Sequence, residues 1–172
     1  MDLKLVCDCL APVPIFQNLR LAGIPAERRQ MCRRPLELAE KPEADPLSGC
    51  GADFVVLLDD RRLIGILRKS QDDAVVGALH PEDTRGGGLY RQLEMLRPFP
   101  LRLFVLEGRL SRKFSLSEPA IYALQYWCFR NHLFVFHATN IEGTSKLLEV
   151  LFRKVQLSIH ELEHFRAPHG EP

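Results

Sequence analysis

The alternation of short apolar runs with amphipathic segments after residue 53 constrains the possible fold of this chain more than any other feature. Runs of strand length, such as 54–58 and 101–106, are almost continuously apolar, which is typical of strands covered on both faces. Segments with apolar residues at helical spacing accompany them, at 72–79, 117–131 and 140–156. Strands that alternate with helices in this way predict an α/β fold, with a central mixed β-sheet flanked by helices.

The length of 172 residues, with 46% hydrophobic and 26% charged residues, fits one globular domain with an ample core. Residues 1–157 are predicted to form that domain, and residues 158–172 a polar C-terminal tail. The formal net charge of +1 is too low for a generally basic nucleic-acid binder, so an anionic partner would have to contact a local basic cluster. For the densest such cluster, an ordinary solvated face is the alternative interpretation. It comprises Arg28, Arg29, Arg33 and Arg34.

The region before residue 53 begins with a predicted strand at 3–8 that ends in Asp8, where the following prolines stop it. A carboxylate at the end of a strand is well placed for a functional site. A helix is predicted at 15–24 with Gly23 as its stop, and the polar, proline-broken segment 25–51 is predicted to be a loop.

The first sixteen residues contain an early acidic residue and only a short apolar stretch, which favours neither a signal peptide nor a membrane span. We therefore expect an intracellular protein, cytoplasmic, nucleoid-associated or nuclear, without a membrane partner. The five cysteines include no C-x-x-C pair. They are interpreted as reduced core thiols, since neither a zinc site nor a disulfide framework is indicated.

Three residues of the segment 53–73 are placed to share one site. Asp53 begins a predicted strand, Lys69 ends the next strand of the same hairpin, and Asp73 lies one helical turn further on. Carboxylates beside a lysine suit a hard divalent cation and a phosphate. Asp8, Asp53 and Asp73 are therefore candidate ligands of Mg²⁺ or Mn²⁺, with Lys69 as the group that positions water or stabilises charge. The alternative is that Lys69 and Asp73 form an ordinary surface pair.

The sequence ADFVVLLDDRRLIGILRKSQDD resembles the core of the XPF-type structure-specific nuclease domain, whose signature is Gly-Asp, a variable stretch, Glu-Arg-Lys, three residues and Asp. The segments GGLYRQLEMLRPFPLRLFVLEG and SEPAIYALQYWCFRNHLFVFHATNIEGTSKLLEVLFRK are similar to later parts of that domain, and LVCDCLA to its first strand. The resemblance covers about residues 3–155. It implies a restriction-endonuclease-like fold, metal-dependent hydrolysis of branched or flapped DNA, and a homodimer or a heterodimer with an active nuclease subunit.

Site residues carry over from this resemblance one by one. Asp8 corresponds to the aspartate of the first strand, and Glu107 to the Glu-Gly that closes the later strand. The signature itself corresponds to Asp53, Arg68, Lys69 and Asp73, which gives the predicted catalytic set. Phosphate contacts are expected from the Arg28 cluster or from a second basic group, Arg109, Arg112 and Lys113.

The departures from the family pattern bear on activity. Ala52 replaces the glycine before Asp53, and Leu10 and Ala11 replace an expected Arg-Glu. Leu67 stands where the family has the glutamate of Glu-Arg-Lys, which the resemblance implies is a metal ligand. A leucine offers no lone pair, so the sequence predicts impaired cleavage unless a neighbouring carboxylate substitutes. The candidates for that substitution are Asp72 and Asp59; in the other possible rescue, Asp8 and Asp53 hold one metal ion loosely. The alternative function is a non-catalytic DNA-binding or partner-stabilising subunit.

The tail contains a second chemical motif, HELEH at 160–164. It formally satisfies H-E-x-x-H, in which two histidines one helical turn apart bind zinc and the glutamate acts as a general base. A third ligand is needed, and His169 comes too early for the extended form of the motif. A zinc metallopeptidase is therefore a remote alternative, and a solvated helix end explains the same residues.

Overall fold

A computed structural model describes residues 2–31, 47, 49–79, 88–111 and 118–166, the last six without their side chains. Its strands are β1 Leu3–Asp8, β2 Ala26–Arg29, β3 Phe54–Leu58, β4 Arg61–Ser70, β5 Leu101–Glu107 and β6 Phe134–Ala138. Its helices are α1 Val13–Leu21, α2 Gln71–Leu79, α3 Leu89–Glu94, α4 Glu118–Arg130 and α5 Ile141–Arg166. The strands form one sheet in the order β2-β1-β3-β4-β5-β6.

The sheet is mixed because β3 runs antiparallel to both of its neighbours, β1 and β4, whereas the other paired strands are parallel. The turn between β3 and β4 has positive φ angles at Asp59 and Asp60, as a tight hairpin turn requires. The carboxyl ends of β1, β4 and β5 therefore meet the beginning of β3 at one edge of the sheet. This edge is called the carboxyl edge below.

Helices cover both faces of the sheet, so the chain has three layers. One apolar cluster joins α2, α3 and α4 to side chains such as Val55, Leu67 and Phe104. A second cluster joins α1 and α5 to the alternate side chains of the same strands, among them Phe54 and Ile66. Because both faces are buried, the central strands are apolar at nearly every position. The predicted α/β fold with a mixed central sheet is confirmed.

Two predicted elements differ from the structure in a way that bears on function. The segment at 25–51 was expected to be a loop, but Ala26–Arg29 forms the edge strand β2, paired in parallel with β1. Its polar residues are tolerated because an edge strand is paired on one side only. The apolar run HLFVFHAT at 132–139 is typical of a buried strand, but β6 is the other edge strand, and its Phe134, Phe136 and His137 are exposed.

The C-terminal helix α5 continues to Arg166, so the predicted division between a domain at 1–157 and a tail at 158–172 falls within a helix. That division stays a prediction. Gly23, with φ of 74°, ends α1 as expected. Within the described residues, none of the helices combines the length and apolar character needed to cross a membrane.

Candidate active site

Asp8 and Asp53 meet at the carboxyl edge, where β1 ends and β3 begins. The backbone N–H of Asp8 donates to the carbonyl oxygen of Asp53 at 2.8 Å, and the register pairs the preceding Cys7 with Phe54. The side chain of Asp8 is completely buried, and its Oδ1 accepts the backbone N–H of Leu10 at 3.2 Å. The strand ends therefore hold both aspartates in fixed positions next to each other.

The pKa of Asp53 reports which charges surround this carboxylate. Burial raises the pKa above its ordinary value, and the charge of Asp8 raises it further. The backbone N–H of Arg68 and the charge of Lys69 oppose that rise without cancelling it. Asp8, Asp53 and Lys69 are thus within electrostatic reach of one another, as the hairpin predicted. Their chemical roles stay predictions.

Arg68 is directed away from these residues because successive side chains of a strand point to opposite faces. Its backbone N–H donates to Asp53 Oδ2 at 2.6 Å, but its guanidinium binds both carboxylate oxygens of Glu107 on the face covered by α5. Thr144 of α5 donates its hydroxyl to Glu107 Oε2 at 2.5 Å. The catalytic role that the resemblance implies for Arg68 stays a prediction.

Thr144 is the residue of this network that the sequence reasoning missed. It is fully buried, although threonine is usually exposed or half-buried. Burial raises the pKa of Glu107, but the hydrogen bonds from Arg68 and Thr144 outweigh burial and leave that pKa below its ordinary value. The only signal in the sequence was a hydroxyl residue on the apolar face of α5, next to Ser145.

Asp73 lies in the first turn of α2 with its side chain exposed. Its backbone N–H donates to Ser70 Oγ at 3.1 Å, and its charge contributes, after Glu107 and Asp53, to raising the pKa of Arg68. In the part of the chain that is described, no three His, Cys, Asp or Glu side chains lie close enough together to hold a metal ion. The predicted set of Asp8, Asp53 and Asp73 is therefore not assembled as one cluster.

Leu67 occupies the position that decides the chemistry of this edge. It lies between Asp53 and Lys69 on the same face of the sheet and is 2% exposed, packed in the cluster with Val55 and Phe104. It therefore presents methyl groups where the resemblance implies a carboxylate. Asp8 and Asp53 can supply carboxylate oxygens to a hard divalent cation, but Leu67 supplies none, so the residues present fit such an ion incompletely.

The two carboxylates that were considered as substitutes lie at opposite ends of β4. Asp72 follows its carboxyl end, in the first turn of α2, and its Oδ1 accepts the backbone N–H of Ser111 at 2.9 Å. Asp59 lies in the hairpin turn at the far end of β4, where its Oδ1 accepts the backbone N–H of Asp2 at 2.7 Å. Asp59 is therefore too far from Leu67 to replace the missing glutamate, whereas the hypothesis that Asp72 replaces it stays a prediction.

Three of the predicted phosphate-binding residues are described, and two of them make contacts within the fold. Arg28 donates to the carbonyl oxygens of Cys9 and Ala11, and it lies over the ring of Phe16 at 6.0 Å. Arg29 forms an ion pair with Glu27 at 2.5 Å. Arg109 is exposed at the carboxyl edge. The remaining predicted residues, Arg33, Arg34, Arg112 and Lys113, lie outside the described residues.

The HELEH motif and the cysteines are the two other features that the sequence singles out. Of the HELEH motif only His160 is described with its side chain, and the metallopeptidase alternative stays untested. Among the described cysteines, Cys7, Cys50 and Cys128 are buried free thiols, as expected, whereas Cys9 is exposed. Burial raises the pKa of Cys7 and of Cys128 to about 12, so these two thiols stay protonated and serve as core residues.

Comparison with solved structures places this architecture among the restriction-endonuclease-like α/β nuclease folds. XPF from Aeropyrum pernix matches with a TM-score of 0.63 and 20% identity over 98% of this chain and 67% of that one. XPF from Aeropyrum pernix in complex with DNA matches with a TM-score of 0.59 and 19% identity over 91% of this chain and 66% of that one. No family model and no curated protein matches the chain. The predicted XPF-type nuclease domain is confirmed at the level of the fold.

Proposed function

We propose that this chain is a nuclease domain of the DNA repair or recombination type, whose cleavage of branched or flapped DNA is impaired at Leu67. The observation that carries the proposal is the burial of Leu67, which is 2% exposed between Asp53 and Lys69. A mobile leucine would leave space that water or a neighbouring carboxylate could fill. A leucine locked in the core excludes both.

The remaining residues support binding of DNA better than its hydrolysis. Lys69 presents a partly exposed cation at the carboxyl edge, where it suits a phosphate of the DNA backbone. The buried Asp8 lies beside the half-buried Asp53, and the raised pKa of Asp53 reflects the cost of charging it there. The family resemblance implies Mg²⁺ or Mn²⁺, but two aspartates without the glutamate fit such an ion poorly, so we derive no cleavage step from it.

A specific observation favours the second candidate, a non-catalytic partner subunit. The edge strand β6 and the adjacent helix α4 expose large apolar side chains that a monomer would leave in water. They are Tyr122, Tyr126, Phe129, Phe134 and Phe136, each at least 38% exposed and together called the aromatic edge. An exposed apolar edge strand is a typical surface for pairing with another chain. We propose that a second nuclease-fold subunit, a copy of this chain or an active relative, covers the aromatic edge.

Replacement of Lys69 tests both candidates against an active nuclease. The purified chain and its Lys69→Ala variant are incubated with labelled flap, fork and single-stranded DNA in Mg²⁺ and in Mn²⁺. We expect no cleavage by either protein and weaker DNA binding by the variant. Cleavage by the wild type that Lys69→Ala abolishes would instead assign an active nuclease. Failure of the wild type to bind any of these DNAs would contradict both candidates, and Lys154→Gln serves as the charge-matched control.

A further inference from the structure

The far end of the sheet from Asp53 and Lys69 carries an aromatic ring set directly on the backbone. Phe99 packs on β4 at Gly65, and a Cβ built on this glycine would lie 2.5 Å from Phe99 Cδ2. The ring is 2% exposed and belongs to the cluster beneath α2, α3 and α4. Only glycine allows this close approach, so the ring of Phe99 is held in one position above the amino ends of β4 and β5.

Arginines surround this ring. The guanidinium of Arg62 lies 5.7 Å from the centroid of Phe99, and Arg102 is the register partner of Gly65 on the neighbouring strand. Arg97 precedes the ring by two residues and is exposed. The three residues Arg62, Arg97 and Arg102 are called the arginine cluster.

The charges of the arginine cluster are poorly compensated by the protein. Among the described residues, only Arg97 has a carboxylate partner, Glu94, at a long 3.4 Å. The acidic residues of the hairpin turn are engaged elsewhere, since Asp60 pairs with Lys4 and Asp59 accepts the backbone N–H of Asp2. Among the described residues, Arg62 is placed by a ring rather than by an acceptor, so its N–H groups are left for an external anion.

We propose that the arginine cluster binds the phosphate backbone of nucleic acid. This inference rests on the proposed DNA binding and adds a second contact surface to it. Guanidinium groups suit phosphate because their planar N–H donors bind two of its oxygens at once. Seven residues of β4 separate Arg62 from Lys69, a span of roughly 23 Å at ~3.3 Å per residue. A duplex covers that span in about seven base pairs at ~3.4 Å each, so one DNA can reach both ends.

Fluorescence anisotropy of the full chain on labelled duplex and flap DNA, over a series of salt concentrations, tests the proposal. Arg62→Gln and Arg102→Gln should each reduce the slope of log affinity against log salt by about one, and the double variant should bind roughly tenfold more weakly at moderate salt. Lys154→Gln, which removes an exposed charge from α5 on the other face of the sheet, should leave the slope unchanged. Thermal unfolding of each variant confirms that it is folded.

The possible results distinguish this inference from the proposed function. A wild type that binds DNA while the double variant keeps its affinity and salt slope would overturn the arginine cluster and leave the proposed function standing. A wild type that binds no DNA would overturn both. Polyglutamate can also be added as a competitor of the labelled DNA. If it displaces DNA from the wild type as well as unlabelled DNA does, and the double variant loses this effect, the cluster binds acidic protein and the nucleic-acid proposal is overturned. Because the Arg102 side chain makes no hydrogen bond or ion pair with the described residues, Arg102→Gln decides the matter even if Arg62→Gln destabilises the fold.

Discussion

Arg68 links the two faces of the sheet at Asp53: its backbone N–H donates to Asp53 Oδ2 at 2.6 Å, while its guanidinium binds Glu107 on the opposite face. The position of the Asp53 carboxylate therefore depends on an ion pair that it does not contact. Thr144 anchors the same pair to α5. These hydrogen bonds and this ion pair thereby connect β3, β4 and β5 to the C-terminal helix at the carboxyl edge.

Loss of this ion pair should destabilise the domain. Arg68→Met leaves Glu107 buried without its cation, which typically costs about 3–5 kcal/mol. Urea denaturation followed by circular dichroism measures the change. The double variant Arg68→Met with Glu107→Leu removes both charges and should recover much of the loss. Equal destabilisation by the single and double variants would show that the buried charge is not the cause.

Asp53 should make the domain less stable as the pH rises toward neutrality. Its pKa in the fold is raised above the ordinary value of 3.8, so the fold disfavours its charged form. This contribution leaves stability highest below 3.8 and reduces it as the pH rises through the raised pKa. Asp53→Asn should therefore unfold at a higher temperature than the wild type at pH 7, with the difference vanishing in acid. A lower unfolding temperature at pH 7 would contradict this account.

The contact between Gly65 and Phe99 should tolerate no added side chain. Gly65→Ala places a methyl group 2.5 Å from the ring, and overpacking of this kind typically costs about 1–3 kcal/mol. Phe99→Leu in the same chain should relieve part of that cost, because the flat ring is the obstacle. Thermal unfolding of the two single variants and the double variant gives the comparison. Additive losses in the double variant would mean that the two residues do not oppose each other.

The aromatic edge should mediate association. Replacement of Phe134 and Phe136 by serine removes two exposed rings from the edge strand, so a wild-type dimer should become a monomer. Sedimentation velocity at several protein concentrations measures the assembly state. Leu21→Ser is the matched control, since Leu21 is 88% exposed on α1 and lies outside the aromatic edge. Equal loss of association in the control would rule out a specific interface.

The central part of the fold was predictable because its elements carry strong periodic patterns. The hairpin of β3 and β4 has continuous apolar strands joined by a polar turn, and the segment that follows has helical spacing. That hairpin also correctly brought Asp53 and Lys69 together. The edge strands β2 and β6 were harder to predict, because the burial of their residues depends on neighbouring elements that no local sequence pattern reveals.

The strand β2 shows why the edges failed. Only Ala26 of its four residues is buried, so the sequence offers no apolar alternation. Its pairing with β1 is fixed instead by tertiary contacts, in which Arg28 donates to the carbonyl oxygens of Cys9 and Ala11. The same contacts engage an arginine of the predicted phosphate-binding set, whose role stays a prediction. In β6 the sequence pattern misleads in the opposite way. Phe134 and Phe136 are apolar, which predicts burial, but both are exposed.

The central claim is that Leu67 disarms a nuclease scaffold, and the most direct test restores the missing carboxylate. Cleavage of labelled flap DNA with Mg²⁺ or Mn²⁺ is measured for Leu67→Glu and for Leu67→Gln. Glutamine has nearly the shape of glutamate but carries no charge. The account predicts metal-dependent cleavage by Leu67→Glu alone, lost again on addition of Lys69→Ala. Cleavage by the wild type, or no cleavage by a folded Leu67→Glu that still binds the DNA, would contradict it.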